Sequence, residues 1–539
     1  MRSWLFSWLI AGTIFATGSA SVLSLAQEET FGDSIDDFSA LQPSGVDDPL
    51  FTDPEEPMPP VGPAAGAGPG ALKATGEEEP AALAAFESGR TLLEQGDAQG
   101  AIRQFNRAIA LEPSFTAAYV GRARASAAMN HSAPAIKSYA KAIALASDPQ
   151  QRASVYLERG KEYFNTDEHR RALDDFNRAA EQFPASADVA HQRGRALLRI
   201  AGEQVAAGEV TARQTITQAI SALDRAIAIN PGLAEALADR GRARADLGET
   251  DEAIEDLGQA ATLDAGDATL HFALAVLHLQ RATAARNAEG DRRDDLQTAV
   301  AKLSEAMEID QQADDEEPSS PSDVEFDPVQ SQLTRAVAQI ELASVAEPDA
   351  RAALYNAALQ DCEAVILEDP TIAVAHFQSG VAHRMLGNFS SAVEAFTEAI
   401  RLSPENAEAR IRRGIAWYYL GEADLAAADF HAVGLIPGDP RPMFWLGVVH
   451  AARGEHRDAI REYSDAIGEN RRYAIAYQNR ALSLMHLGQW QRAIDDLNEA
   501  IQINPRDQLA YSRRALAQRR LGRHEAARRS LELAERFQP

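Results

Sequence analysis

The chain has one cysteine, Cys362, in 539 residues. No disulfide can form within it, even in an oxidising compartment, and no paired-cysteine metal site is available. Positive charge is also scarce. There are 52 Lys and Arg against 80 Asp and Glu, a net charge of −28 with pI near 4.9. That is the reverse of the basic footprint a nucleic-acid binder carries, so no nucleic-acid partner is expected. Enzyme signatures are missing too: no Gly-rich phosphate loop, no Gly-x-Ser-x-Gly elbow, no His-Glu-x-x-His and no Cys pair. No catalytic, cofactor-binding or metal-binding residue is therefore assigned, and the chain reads as a non-enzyme without a cofactor.

The chain does contain a fixed beat. An alanine recurs early in every second helical segment, at Ala101, Ala135, Ala172, Ala219, Ala253, Ala299, Ala357, Ala392, Ala426, Ala459, Ala493 and Ala527. The commonest gap is 34 residues. Such a period means stacked helix pairs, each burying its apolar face only against its neighbours. This lets 539 residues fold without one large core. Twelve copies begin at 82, 116, 153, 187, 234, 268, 329, 373, 407, 440, 474 and 508.

Residues 1–26 hold one early arginine, an apolar run and small residues before Gln27. They read as a cleaved export signal, placing the protein in the periplasm or outside the cell. The alternative is an uncleaved membrane anchor, since about 20 apolar residues span a bilayer. Residues 27–81 are acidic and rich in Pro and Gly; between Gln27 and Pro80 lie 13 acids and one lysine, Lys73. This composition predicts a disordered linker. A second acidic stretch, 314–328, is expected to be a disordered insert dividing repeats 1–6 (82–313) from repeats 7–12 (329–539).

The clearest copy runs from Ala474 to Asp507. Its first helix carries Tyr477, Ala481 and Leu484, Gly488 ends it, its second helix carries Ala493, Leu497 and Ala500, and Pro505 stops that one. An aromatic at the fourth position, small residues at the eighth, twentieth and twenty-seventh, and proline at the thirty-second resemble the tetratricopeptide repeat. The resemblance implies an all-α solenoid, a right-handed superhelix of antiparallel helix pairs. The seventh copy is degenerate and keeps only Ala336, Ala357 and Ala364. Copies four, six and seven carry insertions of good helix propensity, which predict lengthened helical hairpins.

Arginine at the seventh position and aspartate at the twenty-third occur together four times: Arg159 with Asp175, Arg240 with Asp256, Arg413 with Asp429 and Arg480 with Asp496. On antiparallel helices they read as structural ion pairs within a repeat. His271 and His278, and His376 and His383, sit where other copies have packing side chains, so they read as substitutes rather than ligands. Cys362, on a helix, reads as a small packed residue.

The resemblance also implies that the first helix of each pair lines a concave groove. At the ninth position the early copies have Arg90, Arg124, Lys161, Arg195 and Arg242. This basic ladder either neutralises nearby acids or receives an acidic extended segment, including the chain's own linker. Later copies are apolar there, and Phe377, Val381, Met385, Ile411, Ile415, Tyr418, Tyr419, Phe444, Val448, Ile475, Leu482 and Met485 form a stripe. The stripe is either packing between neighbours or an exposed groove for a partner segment. The expected function is a protein-binding scaffold. The alternative is a self-assembling envelope spacer without a specific peptide ligand, and the membrane is a partner only if the N-terminal segment stays attached.

Overall fold

The computed structural model describes residues 78–284, 289–313, 326–434 and 436–537. The expected signal segment, the bulk of the acidic linker and residues 314–325 of the acidic insert lie outside them. Among the described residues there are 24 helices and no strand, only an isolated bridge between Ile436 and Asp439. The helices form two compact units, divided along the chain between Glu249 and Thr250.

The first unit contains α1 (Glu78–Glu94), α2 (Ala98–Leu111), α3 (Thr116–Ala128), α4 (Ser132–Leu145), α5 (Pro149–Asn165), α6 (His169–Gln182), α7 (Ala187–Ala206), α8 (Ala212–Ile229) and α9 (Ala234–Leu247). The second contains α10 (Thr250–Leu263), α11 (Ala268–Ala284), α12 (Glu289–Ala313), α13 (Pro328–Val345), α14 (Pro348–Glu368), α15 (Ala373–Met385), α16 (Phe389–Leu402), α17 (Ala407–Tyr419), α18 (Ala423–Val433), α19 (Arg441–Ala452), α20 (His456–Glu469), α21 (Ala474–His486), α22 (Trp490–Ile503), α23 (Gln508–Arg520) and α24 (His524–Arg536). The acidic insert therefore falls inside the second unit. Around it α12 and α13 pack together through Leu296, Leu303, Val337 and Leu342.

The lengthened copies are helical hairpins. The fourth has helices of 20 and 18 residues, and the sixth of 17 and 25. The seventh has 18 and 21 residues, joined through Ala346 and Glu347.

Each pair closes through a contact that also explains the eighth-position glycine. The ring of Phe176 on α6 lies against Gly160 on α5, and that of Phe430 on α18 against Gly414 on α17. A methyl group at Gly160 would lie 2.6 Å from a Phe176 ring carbon, so the backbone approach needs the missing side chain. The ring is wholly buried, as are Phe105, Phe396 and Phe430 at the same place in other copies. Burying each such side chain is worth about 1.5–3 kcal/mol. The recurring alanines from Ala101 to Ala493 have no exposed surface, except Ala357 of the seventh copy.

The seventh copy corrects the sequence register by one residue. Ala358 and Val365 are fully buried, while Ala357 and Ala364 are only partly so. The insertion is one residue longer than the repeat pattern implies. Cys362 consequently occupies the place of the buried ring, has no exposed surface, and burial pushes its thiol well above the ordinary range.

Candidate functional site

The inner face of each unit is made by the first helices of the pairs. In the first unit α1 packs on α3, α5 on α7 and α7 on α9; in the second, α11, α13, α15, α17, α19 and α21 each pack on the next first helix, ending at α23. No second helix packs to that degree on the next second helix. The first helices thus lie on the tighter side of each unit's curvature.

In the first unit the ninth-position cations meet acids on this face. Arg90 reaches Glu87 at 3.0 Å and Glu94 at 3.5 Å. Arg124 bonds Glu158 of the next copy at 2.9 Å, and Lys161 bonds Asp188 of the next copy at 3.0 Å. Arg195 lies over the Phe164 ring at 4.8 Å. Arg242 is 3.6 Å from Asp239, which also takes a 2.8 Å bond from His191. Burial opposes the Asp239 charge, but His191, Arg242 and Arg195 hold its carboxyl below the ordinary range. Arg124 and Lys161 thus link successive copies, Arg90 and Arg242 pair with acids on their own helices, and Arg90, Arg124 and Lys161 remain about half-exposed.

In the second unit half of the apolar stripe is core. Phe377, Val381, Ile411, Ile415, Phe444 and Met485 are buried, and each joins a cluster with a neighbouring copy. Met385, Tyr418, Val448, Ile475 and Leu482 are partly exposed. Tyr419 is 43% exposed. It stacks on Phe389 at 4.9 Å, meets Tyr418 edge-on at 5.6 Å and Trp445 at 6.5 Å. Neighbour packing therefore accounts for six of the twelve stripe residues, and an aromatic patch remains around Tyr419.

Beside this patch lies buried charge that the sequence pattern did not single out. Arg384 and Arg412 are 3% and 2% exposed. Arg412 bonds Glu408 at 2.8 Å, Glu408 also accepts from Arg441 at 2.9 Å, and Arg441 bonds Asp439 at 2.8 Å. Burial, and then Arg412, push the Arg384 guanidinium down to about 9. Burial lowers Arg412 too. Burial works against Arg441, but Glu408 and Asp439 hold it above its ordinary value. One helix back, Glu341 is 1% exposed and accepts a 2.8 Å bond from Arg292. The only sequence signal is arginine or glutamate at positions within helices whose neighbours are apolar.

The seventh-position arginines do more than pair within a repeat. Arg159–Asp175, Arg413–Asp429 and Arg480–Asp496 are two-pronged, with shortest distances of 2.7, 2.6 and 2.8 Å. The third guanidinium nitrogen of Arg413 reaches Thr397 at 3.1 Å, and that of Arg480 reaches Ser464 at 3.0 Å, both in the preceding copy. Arg240 uses the same reach to bond Asp224 at 2.6 Å; Asp256 belongs to the other unit. Arg335 and Asp361 form the equivalent pair in the seventh copy at 2.7 Å, hidden in the sequence by the insertion.

The histidines fill structural places. His376 meets the Pro370 carbonyl at 3.0 Å, as the Tyr511 hydroxyl does that of Pro505 at 3.2 Å. His271 meets Glu305 at 2.9 Å and His278 meets Asp295 at 2.8 Å. His383 is depressed by burial. One group could approach a metal: ligand atoms of His450, Glu455 and Asp458 lie within 4.8 Å. Glu455 already holds His450 at 2.6 Å and Arg461 holds Asp458 at 2.9 Å. The group also sits at the N-terminus of α20, whose partial positive charge opposes a cation. Among the described residues no helix is long and apolar enough to cross a membrane.

Two family models, both described as tetratricopeptide repeat, match the chain, one at residues 474–507 and the other at 86–152, 210–268 and 377–440. The human "Tetratricopeptide repeat protein 6" is 28% identical over 124 residues, which are 23% of this chain. The chain spans about a quarter, 24%, of that relative's length. Among solved structures, MamA is 25% identical over 29% of this chain and 93% of its own, with TM-score 0.28. Yeast Tom70 is 16% identical over 85% of this chain and 92% of its own, with TM-score 0.35.

Proposed function

This chain is a tetratricopeptide-repeat protein, and we propose that its second unit binds a segment of another protein along the inner face of α15, α17 and α19. The observation that carries this reading is the patch around Tyr419. A half-exposed tyrosine stacked between Phe389, Tyr418 and Trp445 is an apolar surface that a partner can cover without refolding the unit. The exposed part of the patch is aromatic, so an apolar side chain of the partner segment is the favoured contact. The role is non-catalytic. The first unit's basic ladder is a weaker candidate for acidic segments, its cations being engaged by Glu87, Glu158, Asp188 and Asp239.

The test is a photoreactive aromatic placed at Tyr419 in cells, with Leu425 on α18 as an exposed control. Recurrent crosslinks from 419 and none from 425 support the groove. Equal crosslinking from both, or none from either, overturns it. Export is part of the same proposal, and N-terminal sequencing of the mature protein checks it: a start at Gln27 supports a cleaved leader, and a retained Met1 supports an anchor.

A further inference from the structure

The last described helix pair is the most basic part of an acidic protein. Residues 508–537 contain eight arginines and three glutamates, a charge of +5 in a chain of −28. Arg519, Arg520, Arg523, Arg528, Arg529 and Arg536 are all exposed. They are interspersed with Leu516, Leu521 and Leu531, which are 47, 39 and 41% exposed. Arg528 shares one exposed pair with Glu532 at 3.2 Å. A solvating surface needs charge but not charge of one sign, and the chain outside this pair sums to −33, although the second helix pair (116–145) carries +4.

We propose that α23 and α24 dock the acidic segment 27–77, which precedes α1, of a second copy of this chain. The argument is charge complementarity. Between residues 27 and 77 the 11 acids and one lysine carry −10, against +5 on the helix pair. The segment is also apolar in places, with Leu41, Leu50, Phe51 and Met58 among the acids, to match the exposed leucines. The bulk negative charge of two copies repels them, but that repulsion is screened beyond ~8 Å at physiological ionic strength while contacting groups still attract. The two surfaces differ, so the contact is head-to-tail and propagates instead of closing into a symmetric dimer. This association is separate from the groove reading and stands or falls independently of it.

Two full-array variants beginning at Gln27 test it, without the apolar leader that would itself drive association. In the first, Arg519→Glu, Arg523→Glu and Arg529→Glu change the helix pair from +5 to −1 and leave the acidic segment intact. In the second, Asp36, Asp37, Asp47, Asp48 and Asp53 become Asn and Glu55 and Glu56 become Gln, which leaves the helix pair intact. Analytical ultracentrifugation is run on each alone and on an equimolar mixture. The unaltered chain should form a concentration-dependent series of oligomers at low salt, with association at least about tenfold weaker at about 0.5 M salt. Each variant alone should be monomeric, and their mixture should form a one-to-one complex and stop there. Circular dichroism confirms that the first variant is folded; if it is not, Arg→Gln at the same positions replaces it. A monomeric unaltered chain at low salt, a mixture that stays monomeric, or variants that associate as the unaltered chain does would each overturn the proposal.

Discussion

Replacing Gly414 by alanine tests what closes each helix pair. The new Cβ would lie 2.8 Å from Cε1, 2.9 Å from Cζ and 3.2 Å from Cδ1 of Phe430. Phe430 has no exposed surface and stacks against Trp445 at 6.3 Å, so its ring has nowhere to go. Two effects oppose one another. Alanine gains about 1 kcal/mol of helix propensity over glycine. Overpacking a rigid core costs about 1–3 kcal/mol. The net expectation is a loss of about 0–2 kcal/mol. Phe430→Leu alone leaves a gap and should cost about 1–2 kcal/mol. The double variant places the new methyl in the space the ring vacated, so it should be more stable than the two single losses predict, by about 1–2 kcal/mol. The eleventh copy already has this combination, Ala481 against Leu497, both wholly buried. Urea titration gives the stabilities, and hydrogen exchange on α17 and α18 localises them. Additivity within about 0.5 kcal/mol would refute the reasoning. Gly258→Ala is the control: nothing lies within 4 Å of its Cβ, and it should stabilise by about 0.5–1 kcal/mol.

Arg480→Ala leaves the nearly buried Asp496 without its two-pronged partner and frees Ser464 of the preceding copy, so it should destabilise by about 2–4 kcal/mol, and Asp496→Ala added to it should recover part of the loss in urea titrations. Phe377→Ala should cost about 3–5 kcal/mol, read as lost helicity and melting temperature, because the ring packs on Phe396 in the core and is not a groove contact. Burial pushes the Asp246 carboxyl up to about 7. Its folded value lies above its unfolded one, so the stability linked to its proton is full below about pH 4 and lost as pH rises through about 7. Asp246→Asn should therefore raise the melting temperature at pH 8 and leave it unchanged at pH 4.

The repeat beat was legible because small residues at the eighth and twentieth positions are set by helix–helix distance, and that distance recurs. The alanines that mark it are the buried ones, with the seventh copy shifted by one where an insertion hid the count. Arg159, Arg413 and Arg480 were legible for the same reason: their partners lie 16 residues away in each of these three copies. Their second contact, into the preceding copy, was not, because Thr397 and Ser464 are too ordinary to mark it. The apolar stripe could not be divided between packing and groove at Phe377, Ile411 and Phe444, because position within one helix does not say how far the next first helix covers it. Arg384 and Arg412 went unnoticed for the converse reason. A charged side chain normally marks solvent, and only the fold shows that Glu408 and Arg441, from two successive first helices, enclose them.

The two inner faces should consequently answer salt differently. In the first unit, neighbouring copies are joined by Arg124–Glu158, whose side chains are 55 and 35% exposed, and by Lys161–Asp188, at 44 and 48%. Such pairs contribute about 0–1 kcal/mol each and are screened as salt rises. In the second, Arg412 and Glu408 are 3 and 19% exposed, and the surrounding contacts are apolar. The screening length falls from ~10 Å at 0.1 M to ~3 Å at 1 M, which reaches the first set of pairs and hardly the second. High salt of the sulfate type also strengthens apolar burial, so chloride is the salt to use. Hydrogen exchange on α3, α5 and α7 should quicken by about two- to threefold between these chloride concentrations, about 0.5 kcal/mol per pair. Exchange on α15, α17 and α19 should stay within experimental error. Equal quickening in both units would mean that the ladder pairs do not hold the first unit's copies together, and that apolar contacts alone set the stability of both.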